Sequence, residues 1–167
     1  MTYHIRVRVG ALIIQNNEIL LTEFDDPYRG VFYDLPAGGA EPHESLIEAV
    51  KREAREEASI DVKVGPLAFV YEYAPHLNEN KYGQTHTLVM LFDCTLKNDS
   101  TPKLPEKPDP NQTAVKWVPV SELENLELYA NIGKQIKEYA IKKRNIDLLE
   151  EYKLPDQTFT RKFTETF

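Results

Sequence analysis

Cysteine and long apolar runs are scarce in this chain of 167 residues. Cys94 is its one cysteine, so no disulfide can form within the chain, and the apolar residues around it indicate a core position. The longest apolar runs, residues 11–14 and 88–92, are far too short to cross a bilayer, and the N-terminal sequence MTYHIRVRV lacks a signal-peptide pattern. These absences predict a cytoplasmic protein without a membrane partner.

Basic residues are also few. The chain has 20 Lys and Arg residues and 27 Asp and Glu residues, which give a net charge of −7. General binding to a nucleic-acid backbone needs clustered Lys and Arg, so a nucleic-acid polymer is not an expected partner. A small phosphorylated ligand remains compatible, since a metal ion and a few basic side chains can meet its charge locally. Hydrophobic residues, at 41%, suffice for the core of a single domain.

The order of predicted elements is typical of an α/β fold. Residues 3–14 alternate apolar and polar and then become continuously apolar, which predicts a strand, and the pair Asn16-Asn17 predicts a tight turn into a second strand over 19–24. Polar and proline-rich stretches separate three further strands, predicted at residues 67–73, 85–96 and 114–120.

The clearest helix is predicted over residues 44–58. Its apolar stripe consists of Ile47, Val50, Ala54 and Ala58. Residues 121–123 predict a short turn or helix, and residues 132–143 predict a surface helix. The sequence is therefore divided into one domain, residues 1–145, and a docked or partly disordered tail, residues 146–167, which carries Phe159, Phe163 and Phe167.

Three carboxylates crowd one face of the predicted helix. Glu53, Glu56 and Glu57 are three and four residues apart, so their side chains leave the same side within reach of one ion. Each like-charged pair costs a helix roughly 0.2–0.5 kcal/mol, so this stack calls for a cation or several basic partners. Hard oxygen ligands suit Mg²⁺ or Mn²⁺, which bind through a few carboxylates together with substrate phosphates.

The segment around these carboxylates, residues 38–60, resembles the Nudix box. That pattern is a glycine, five residues, a glutamate, seven residues, and then Arg-Glu-aliphatic-x-Glu-Glu-x-Gly-aliphatic. The corresponding positions are Gly38, Glu44, Arg52, Glu53, Ala54, Glu56, Glu57, Ser59 and Ile60. The resemblance to the Nudix (MutT-like) family extends over most of the chain to about residue 143. It implies a Nudix-type α/β/α sandwich with a mixed, curled central sheet.

The resemblance also implies a chemistry: hydrolysis of a pyrophosphate bond in a nucleoside diphosphate linked to another group, by attack of metal-activated water. Glu53, Glu56 and Glu57 would hold Mg²⁺ or Mn²⁺, and a backbone carbonyl near Ala37 or Gly38 could complete the set of ligands. The substrate would be a small nucleotide, either a nucleoside triphosphate or an ADP-ribose-like molecule, and the residues that bind it stay open. A homodimer is compatible with the resemblance, since members of the family often dimerise.

Further residues are expected to support the site or to add to it. Glu44 and Arg52 are expected mainly to support the architecture of the catalytic site, and Arg52 can pair with a carboxylate and fix the loop against the helix. Family members often recruit a further acid from a late loop, for which Glu106 and Asp109 are the candidates. Pro75 lies fifteen residues after Ile60, a spacing that resembles ADP-ribose hydrolases.

Two residues depart from the family pattern. Ala54 is smaller than the usual aliphatic residue, and Ser59 replaces the glycine that normally ends the helix in a left-handed turn. A non-glycine residue in that conformation costs about 1 kcal/mol. Two alternatives to an enzyme remain at this stage. One is a sensor of the same fold that binds a nucleotide without hydrolysing it, and the other is a structural acidic face paired with basic residues.

Overall fold

The computed structural model describes residues 4–97, 99–144 and 146–156, which form a mixed β-sheet with a helix on each face. Its strands are β1 Arg6–Gln15, β2 Glu18–Asp26, β3 Gly30–Asp34, β4 Ala37–Gly39, β5 Val62–Tyr73, β6 Thr87–Leu96, β7 Gln112–Pro119 and β8 Asp147–Glu150. Its α-helices are α1 Leu46–Ala58 and α2 Gly133–Ile141. Short 3-10 helices lie at Pro75–Leu77, Val120–Asn125 and Glu151–Lys153.

The sheet has the order β3-β2-β1-β6-β5-β8, with β4 also paired to β1 and β7 also paired to β2. Parallel pairs join β1 to β6 and β5 to β8, and the other pairs are antiparallel. β1 pairs with β2 only next to their turn, where Asn16 and Asn17 both have positive φ, as the sequence predicts. The rest of β1 pairs with β4 and β6, so the sheet curls open at this point and the predicted mixed α/β architecture is confirmed.

The two faces of the sheet carry separate apolar cores. Val9, Ala11 and Ile13 of β1 pack with the buried residues of α1. Leu12, which points to the opposite face, packs in a second core with Ile136 of α2 and with residues of β5 and β6. The alternation of side chains along β1 therefore places α1 on one face of the sheet and α2 on the other.

Several predicted boundaries are wrong for identifiable reasons. β5 begins at Val62 and not at residue 67, because irregular pairing with β6 between Val64 and Leu67 accommodates the intervening Pro66. Ala37–Gly39, which belongs to none of the predicted strands, forms a short strand on β1. Asp25 and Asp26, which lie beyond the predicted end of the second strand at residue 24, extend β2 by pairing with the first residues of β3.

The buried stripe of α1 also differs from the prediction. Ile47 is 39% exposed, whereas Val50, Ala54 and Ala58 are fully buried. The stripe is displaced to one side because Glu53 and Glu57 face inwards and join it. The helix begins at Leu46 after the N-cap Ser45, not at residue 44.

Part of the predicted tail forms a regular element. Residues Asp147–Glu150 pair in parallel with β5, and Leu149 packs against the core on the α2 face. Phe159, Phe163 and Phe167 lie outside the described residues. In the part of the chain that the structure describes, neither α-helix has the length and apolar character needed to cross a bilayer.

Candidate active site

Both ends of α1 are fixed by local hydrogen bonds. Ser45 and Glu48 form a capping box, in which Ser45 N donates to Glu48 Oε2 at 2.7 Å and Glu48 N donates to Ser45 Oγ at 3.3 Å. At the other end Ser59 adopts the left-handed conformation, with φ 57° and ψ 35°. Ser59 thus adopts the left-handed conformation that glycine normally has at this position, and α1 ends as the family pattern predicts.

Two of the three predicted metal-binding carboxylates face inwards. Glu53 and Glu57 are 7% and 6% exposed, while the side chain of Glu56 is 58% exposed. A Cβ on Gly38 would lie 2.2 Å from the carboxylate of Glu53, so only glycine allows this close packing of β4 against α1. Ala37 N donates to Glu57 Oε2 at 3.3 Å, which brings the second carboxylate to the same strand.

Arg52 connects the remaining residues of the pattern. Its Nη2 donates to Glu44 Oε1 at 2.6 Å and to the carbonyl oxygen of Gly39 at 2.9 Å. Its Nη1 donates to Glu53 Oε1 at 2.6 Å and to Glu56 Oε2 at 3.0 Å. These contacts pair Arg52 with three carboxylates and connect the loop that carries Gly39 and Glu44 to the helix.

The carboxylates of the cluster outnumber the basic side chains that contact them. Burial raises the pKa of Glu57 to about 9, and the charges of Asp34 and Asp109 add to the effect. Burial also raises the pKa of Glu53, against the opposing influence of Arg52. One guanidinium is shared among Glu44, Glu53 and Glu56, and the nearest hydrogen-bond donor to Glu57 is a backbone amide.

This donor set fits a hard divalent cation. Among the described residues no three His, Cys, Asp or Glu side chains are gathered closely enough to hold an ion, so the three glutamates predicted to lie within reach of one ion are not gathered in this arrangement. The side chain of Glu56 is exposed, whereas Glu53 and Glu57 are buried. Yet Arg52 Nη1 bridges Glu53 and Glu56, so a cationic group already lies between two of the predicted ligands. Mg²⁺ or Mn²⁺ would likewise supply positive charge next to these carboxylates, whose oxygen atoms are the ligands that both ions prefer.

The late loop brings one of the two candidate acids close to this cluster. Gln112, which is 6% exposed, donates from Nε2 to the carbonyl oxygen of Glu57 at 2.7 Å and accepts from Asp109 N at 3.3 Å. The charge of Asp109 acts on Glu57, as the raised pKa of Glu57 records. Glu106 is exposed and makes no hydrogen bond or ion pair with the described residues.

A cavity opens on the other face of β1 and meets the carboxylate cluster at Ala37. Its walls are mostly apolar and aromatic, and Arg8 and Asp34 are its charged residues. Tyr33 and Tyr129 both line this cavity. The sequence left the substrate-binding residues open. Arg8 gave no distinct signal in the sequence, because it occupies a polar position in the alternating half of the first predicted strand, as Arg6 does.

Comparisons with known proteins agree with this geometry. The family model described as NUDIX domain matches residues 4–139. The nucleoside triphosphatase NudI of Enterobacter sp. (strain 638) is 34% identical over 127 residues, which cover 70% of this chain and 84% of that protein. The ADP-ribose pyrophosphatase of Methanocaldococcus jannaschii is 35% identical over 91 residues, 54% of this chain and 52% of that protein.

A match to the 8-oxo-dGDP phosphatase NUDT18 of Danio rerio is 42% identical over 69 residues, 40% of this chain, and spans only 21% of that protein. A solved structure of a NUDIX hydrolase from Nitrosomonas europaea superposes with a TM-score of 0.69 and 25% identity, covering 90% of this chain and 81% of that one. The matched domain, the fold and the inward-facing glutamates together place the chain in the Nudix family.

Proposed function

We propose that this protein is a Mg²⁺- or Mn²⁺-dependent pyrophosphohydrolase that cleaves a nucleoside diphosphate linked to another group. The observation that carries the proposal is the burial of Glu53 and Glu57 against the backbone of β4, next to a cavity lined by Arg8, Asp34 and apolar and aromatic side chains. Buried carboxylates need a compensating cation, and the proposed substrate also brings negative charge that the same cation would meet.

Glu53, Glu56 and Glu57 would hold the ion, which when bound supplies positive charge to the diphosphate and makes water more acidic. Arg52 would keep Glu53 and Glu56 on the same side of α1, through the hydrogen bonds of its Nη1. Glu44 would hold the guanidinium of Arg52 in place from the loop before the helix. Glu44 and Arg52 are therefore supporting residues in this proposal, and the three glutamates are the ligands.

Strand pairing favours the carbonyl of Ala37 over that of Gly38 as the backbone ligand. Backbone hydrogen bonds flank β4 on both sides, from Ala11 N to Pro36 O and from Ala40 N to Val7 O. Because hydrogen-bonded positions alternate in an antiparallel pair, the carbonyl of Gly38 is directed at β1 and that of Ala37 away from it. Arg8 Nη2 donates to the Ala37 carbonyl at 3.1 Å, so an ion bound there would have to displace this guanidinium. The contribution of Gly38 would then be steric, through the missing Cβ.

Asp109 is the better candidate for the additional acid of the late loop. Its charge acts on Glu57, and Gln112 ties its backbone to the end of α1. A carboxylate at this position could accept a proton from water near the diphosphate. Glu106 offers no such link to the described residues of the cluster.

Neither alternative to an enzyme accounts for the site as well. A sensor has no need of the complete set of three glutamates, all of which this chain retains. A structural acidic face requires basic partners for each carboxylate, but the amide of Ala37 is the hydrogen-bond donor to Glu57. The relatives named as a nucleoside triphosphatase and as an ADP-ribose pyrophosphatase support pyrophosphate chemistry and leave both substrate classes open.

The test is hydrolysis of a panel of nucleoside triphosphates, ADP-ribose, dinucleoside polyphosphates and nucleotide sugars, with Mg²⁺ or Mn²⁺. The proposal expects turnover of at least one substrate, and loss of turnover on chelation and in Glu57→Gln. Turnover that persists in Glu57→Gln would contradict the proposed site. Binding of nucleotides without turnover would favour the sensor.

A matched pair of variants tests the late loop with the substrate so identified. Asp109→Asn is expected to lower kcat by roughly 100-fold, within the usual range for a group that transfers a proton, whereas Glu106→Gln should stay within about twofold of the original. Equal effects of the two variants would remove Asp109 from the mechanism.

A further inference from the structure

We infer that Glu151 is a positioning residue for the substrate, because its carboxylate holds Tyr71 and the loop between β5 and β6 in place behind the wall of the cavity. This inference rests on the proposed function, since it takes the cavity beside the carboxylate cluster as the place of the nucleotide. Glu151 belongs to the C-terminal segment, residues 147–156, which follows the matched domain, residues 4–139. The family resemblance therefore assigns it no role.

The C-terminal segment is fixed to the body of the protein along its length. Its strand β8 pairs in parallel with β5, and Leu149 and Leu154 pack against the core on the α2 face. Near its end, Asn131 Nδ2 donates to the carbonyl oxygen of Pro155 at 3.0 Å, and Ala130, the residue before Asn131, lines the cavity. The ends of a chain become ordered where such contacts hold them, so the segment forms part of the support of the cavity.

Glu151 contacts the wall of the cavity directly through Tyr71. Tyr71 Oη donates to Glu151 Oε2 at 2.6 Å, and both side chains are buried. Tyr71 also lines the cavity. A buried hydroxyl that loses its acceptor is left with an unfavourable desolvation and moves towards any other partner within reach. Removal of the carboxylate should therefore change the position of Tyr71 in the cavity wall.

The same carboxylate holds the loop between β5 and β6. Lys81 Nζ lies 3.6 Å from Glu151 Oε1. Burial and the charge of Glu151 raise the pKa of the neighbouring Tyr82, so the phenol and the carboxylate lie close together. The ring of Tyr82 stacks on that of Tyr129, with 5.2 Å between the ring centroids, and Tyr129 lines the cavity. Glu151 thus supports the wall at two places, through Tyr71 and through Tyr129.

This arrangement separates binding of the substrate from the hydrolytic step. The side chains that act on Glu151 are Tyr71, Lys81 and Tyr82, and none of them is a proposed metal ligand. Loss of an interaction that supports the bound substrate and its transition state equally raises KM and leaves kcat unchanged. We therefore expect changes at Glu151 to weaken the affinity for the substrate and to spare the rate of hydrolysis.

The first test is limited digestion with trypsin, which needs no substrate. Lys81 is the one trypsin site between Lys63 and Lys97, so cleavage after Lys81 reports opening of the loop. In Glu151→Ala we expect this cleavage to become about tenfold faster, as the loss of one buried hydrogen bond would give, while cleavage after Lys116 in β7 keeps its rate. Rates that rise equally at both sites, or at neither, would overturn the inference.

Tyr71→Phe and Tyr139→Phe form a matched pair for the affinity. Each removes a phenol that donates to a carboxylate, since Tyr139 Oη donates to Asp93 Oδ2 at 3.0 Å, but Tyr71 is the one of the two in the cavity wall. For the substrate identified by the panel, Glu151→Ala should raise KM about tenfold and Tyr71→Phe about threefold, with kcat within about twofold. Tyr139→Phe should change neither constant.

Glu151→Gln is the conservative variant, because its amide oxygen can still accept from Tyr71. It should keep KM within about twofold of the original value. A KM that rises as much in Tyr139→Phe as in Tyr71→Phe, or that stays unchanged in Glu151→Ala, would overturn the inference. Folding of each variant is checked by its melting temperature, and Tyr71→Phe and Glu151→Gln are the mildest changes of the set.

The outcomes distinguish this inference from the proposed function. Hydrolysis whose KM does not respond to Glu151→Ala would sustain the pyrophosphohydrolase and overturn the role of Glu151. If no nucleotide of the panel is hydrolysed, the same variants are compared by the calorimetric Kd for ATP and for ADP-ribose with Mg²⁺. Weaker binding in Glu151→Ala than in Tyr139→Phe would then sustain the role of Glu151 and contradict the enzyme. Equal binding in the two variants, or no binding by the original protein, would overturn that role.

Discussion

Gly38 determines how closely β4 approaches α1, so its single missing methyl group acts directly on the candidate active site. In Gly38→Ala the new Cβ would lie 2.2 Å from the carboxylate of Glu53, and the carboxylate would have to leave its buried position. A displacement of about 1 Å at a catalytic group can cost on the order of 100-fold in rate. We expect Gly38→Ala to lower metal-dependent kcat by about that factor.

Gly39→Ala is the matched control for this prediction. A Cβ at that position would meet Arg6 Nη2 at 3.0 Å, and an exposed arginine can move aside at little cost. Activity assays of both variants under saturating Mg²⁺ make the comparison. Similar losses in both would indicate that the strand, and not the carboxylate of Glu53, is sensitive to the added methyl group.

For individual residues, sequence spacing predicted the glutamates of α1 far better than the residues that line the cavity. Glu53, Glu56 and Glu57 are neighbours along one helix, so the 3.6-residue period alone places them together. Arg8 and Asp34 come from strands β1 and β3, and their meeting depends on how the sheet is paired and curled. Glu56 nonetheless faces outwards, because consecutive residues lie about 100° apart around a helix and Glu57 takes the inward position beside Glu53.

The end of α1 carries a strain that an element-scale change can remove. Ser59 has φ 57°, and a non-glycine residue in this conformation costs about 1–2 kcal/mol. Glycine adopts the left-handed conformation without this cost, although its greater flexibility in the unfolded chain offsets part of the gain in stability. We expect Ser59→Gly to raise the free energy of unfolding by up to about 1 kcal/mol, measured by urea denaturation.

Substitution by glycine within the same helix should instead lower the free energy of unfolding. Ala58→Gly, at the last residue of α1, is expected to destabilise the protein by about 1 kcal/mol, because a helical position gains nothing from glycine's freedom. A loss of stability in Ser59→Gly would show that the serine side chain contributes more to the turn than its conformation costs.

The strand that follows α2 is held to β5 by a buried acid. Tyr71 Oη donates to Glu151 Oε2 at 2.6 Å, and Lys81 Nζ lies 3.6 Å from Glu151 Oε1. Glu151 is 5% exposed, and its burial raises its pKa above the ordinary value despite these partners. A raised pKa in the folded state means that the carboxyl group favours folding most when it is protonated.

The sign of the resulting pH dependence follows by linkage. The contribution of Glu151 is fully present below its unfolded pKa of about 4.5 and is lost as the pH rises through its folded pKa. Glu151→Gln keeps an acceptor for Tyr71 and removes the titration. We therefore expect the stability difference between variant and original to shift in favour of the variant as the pH rises above about 5, measured by thermal unfolding across pH.

Asp156→Asn is the control, because Asp156 also lies near Lys81, at 3.8 Å, but is fully exposed. It should leave the pH dependence of stability unchanged. A pH profile of Glu151→Gln that runs parallel to that of the original protein would contradict the assigned titration.

Element types were more predictable than element boundaries. The period of residues 44–58 and the Asn16-Asn17 turn correctly predicted α1 and the β1–β2 hairpin, since both depend on local sequence. The early start of β5 was not predictable from local sequence, because Gly65 and Pro66 are typical of loops. Pairing with β6 overrides that preference by means of irregular register.

Across the whole molecule, the curled sheet joins a cavity on one face to an acidic helix on the other. β1 is common to both, because Arg8 lines the cavity while Val9 and Ala11 pack against α1. The charged groups at this junction, Arg8, Asp34, Glu53 and Glu57, influence one another's pKa values, which shows that they share one electrostatic environment. Binding of a cation here should therefore affect the stability of the entire fold.

A ligand that binds only the folded state stabilises it by about 2.7 kcal/mol when its concentration is 100 times Kd. For a chain of this size each kcal/mol raises the melting temperature by about 2–4 °C. We expect saturating Mg²⁺ to raise the Tm by about 5–10 °C in scanning fluorimetry, and excess chelator to reverse the shift. Glu57→Gln should lose most of the Mg²⁺ shift because one inward carboxylate is gone. Glu138→Gln, on the exposed side of α2, should retain it, and an equal shift in both variants would place the stabilising ion elsewhere.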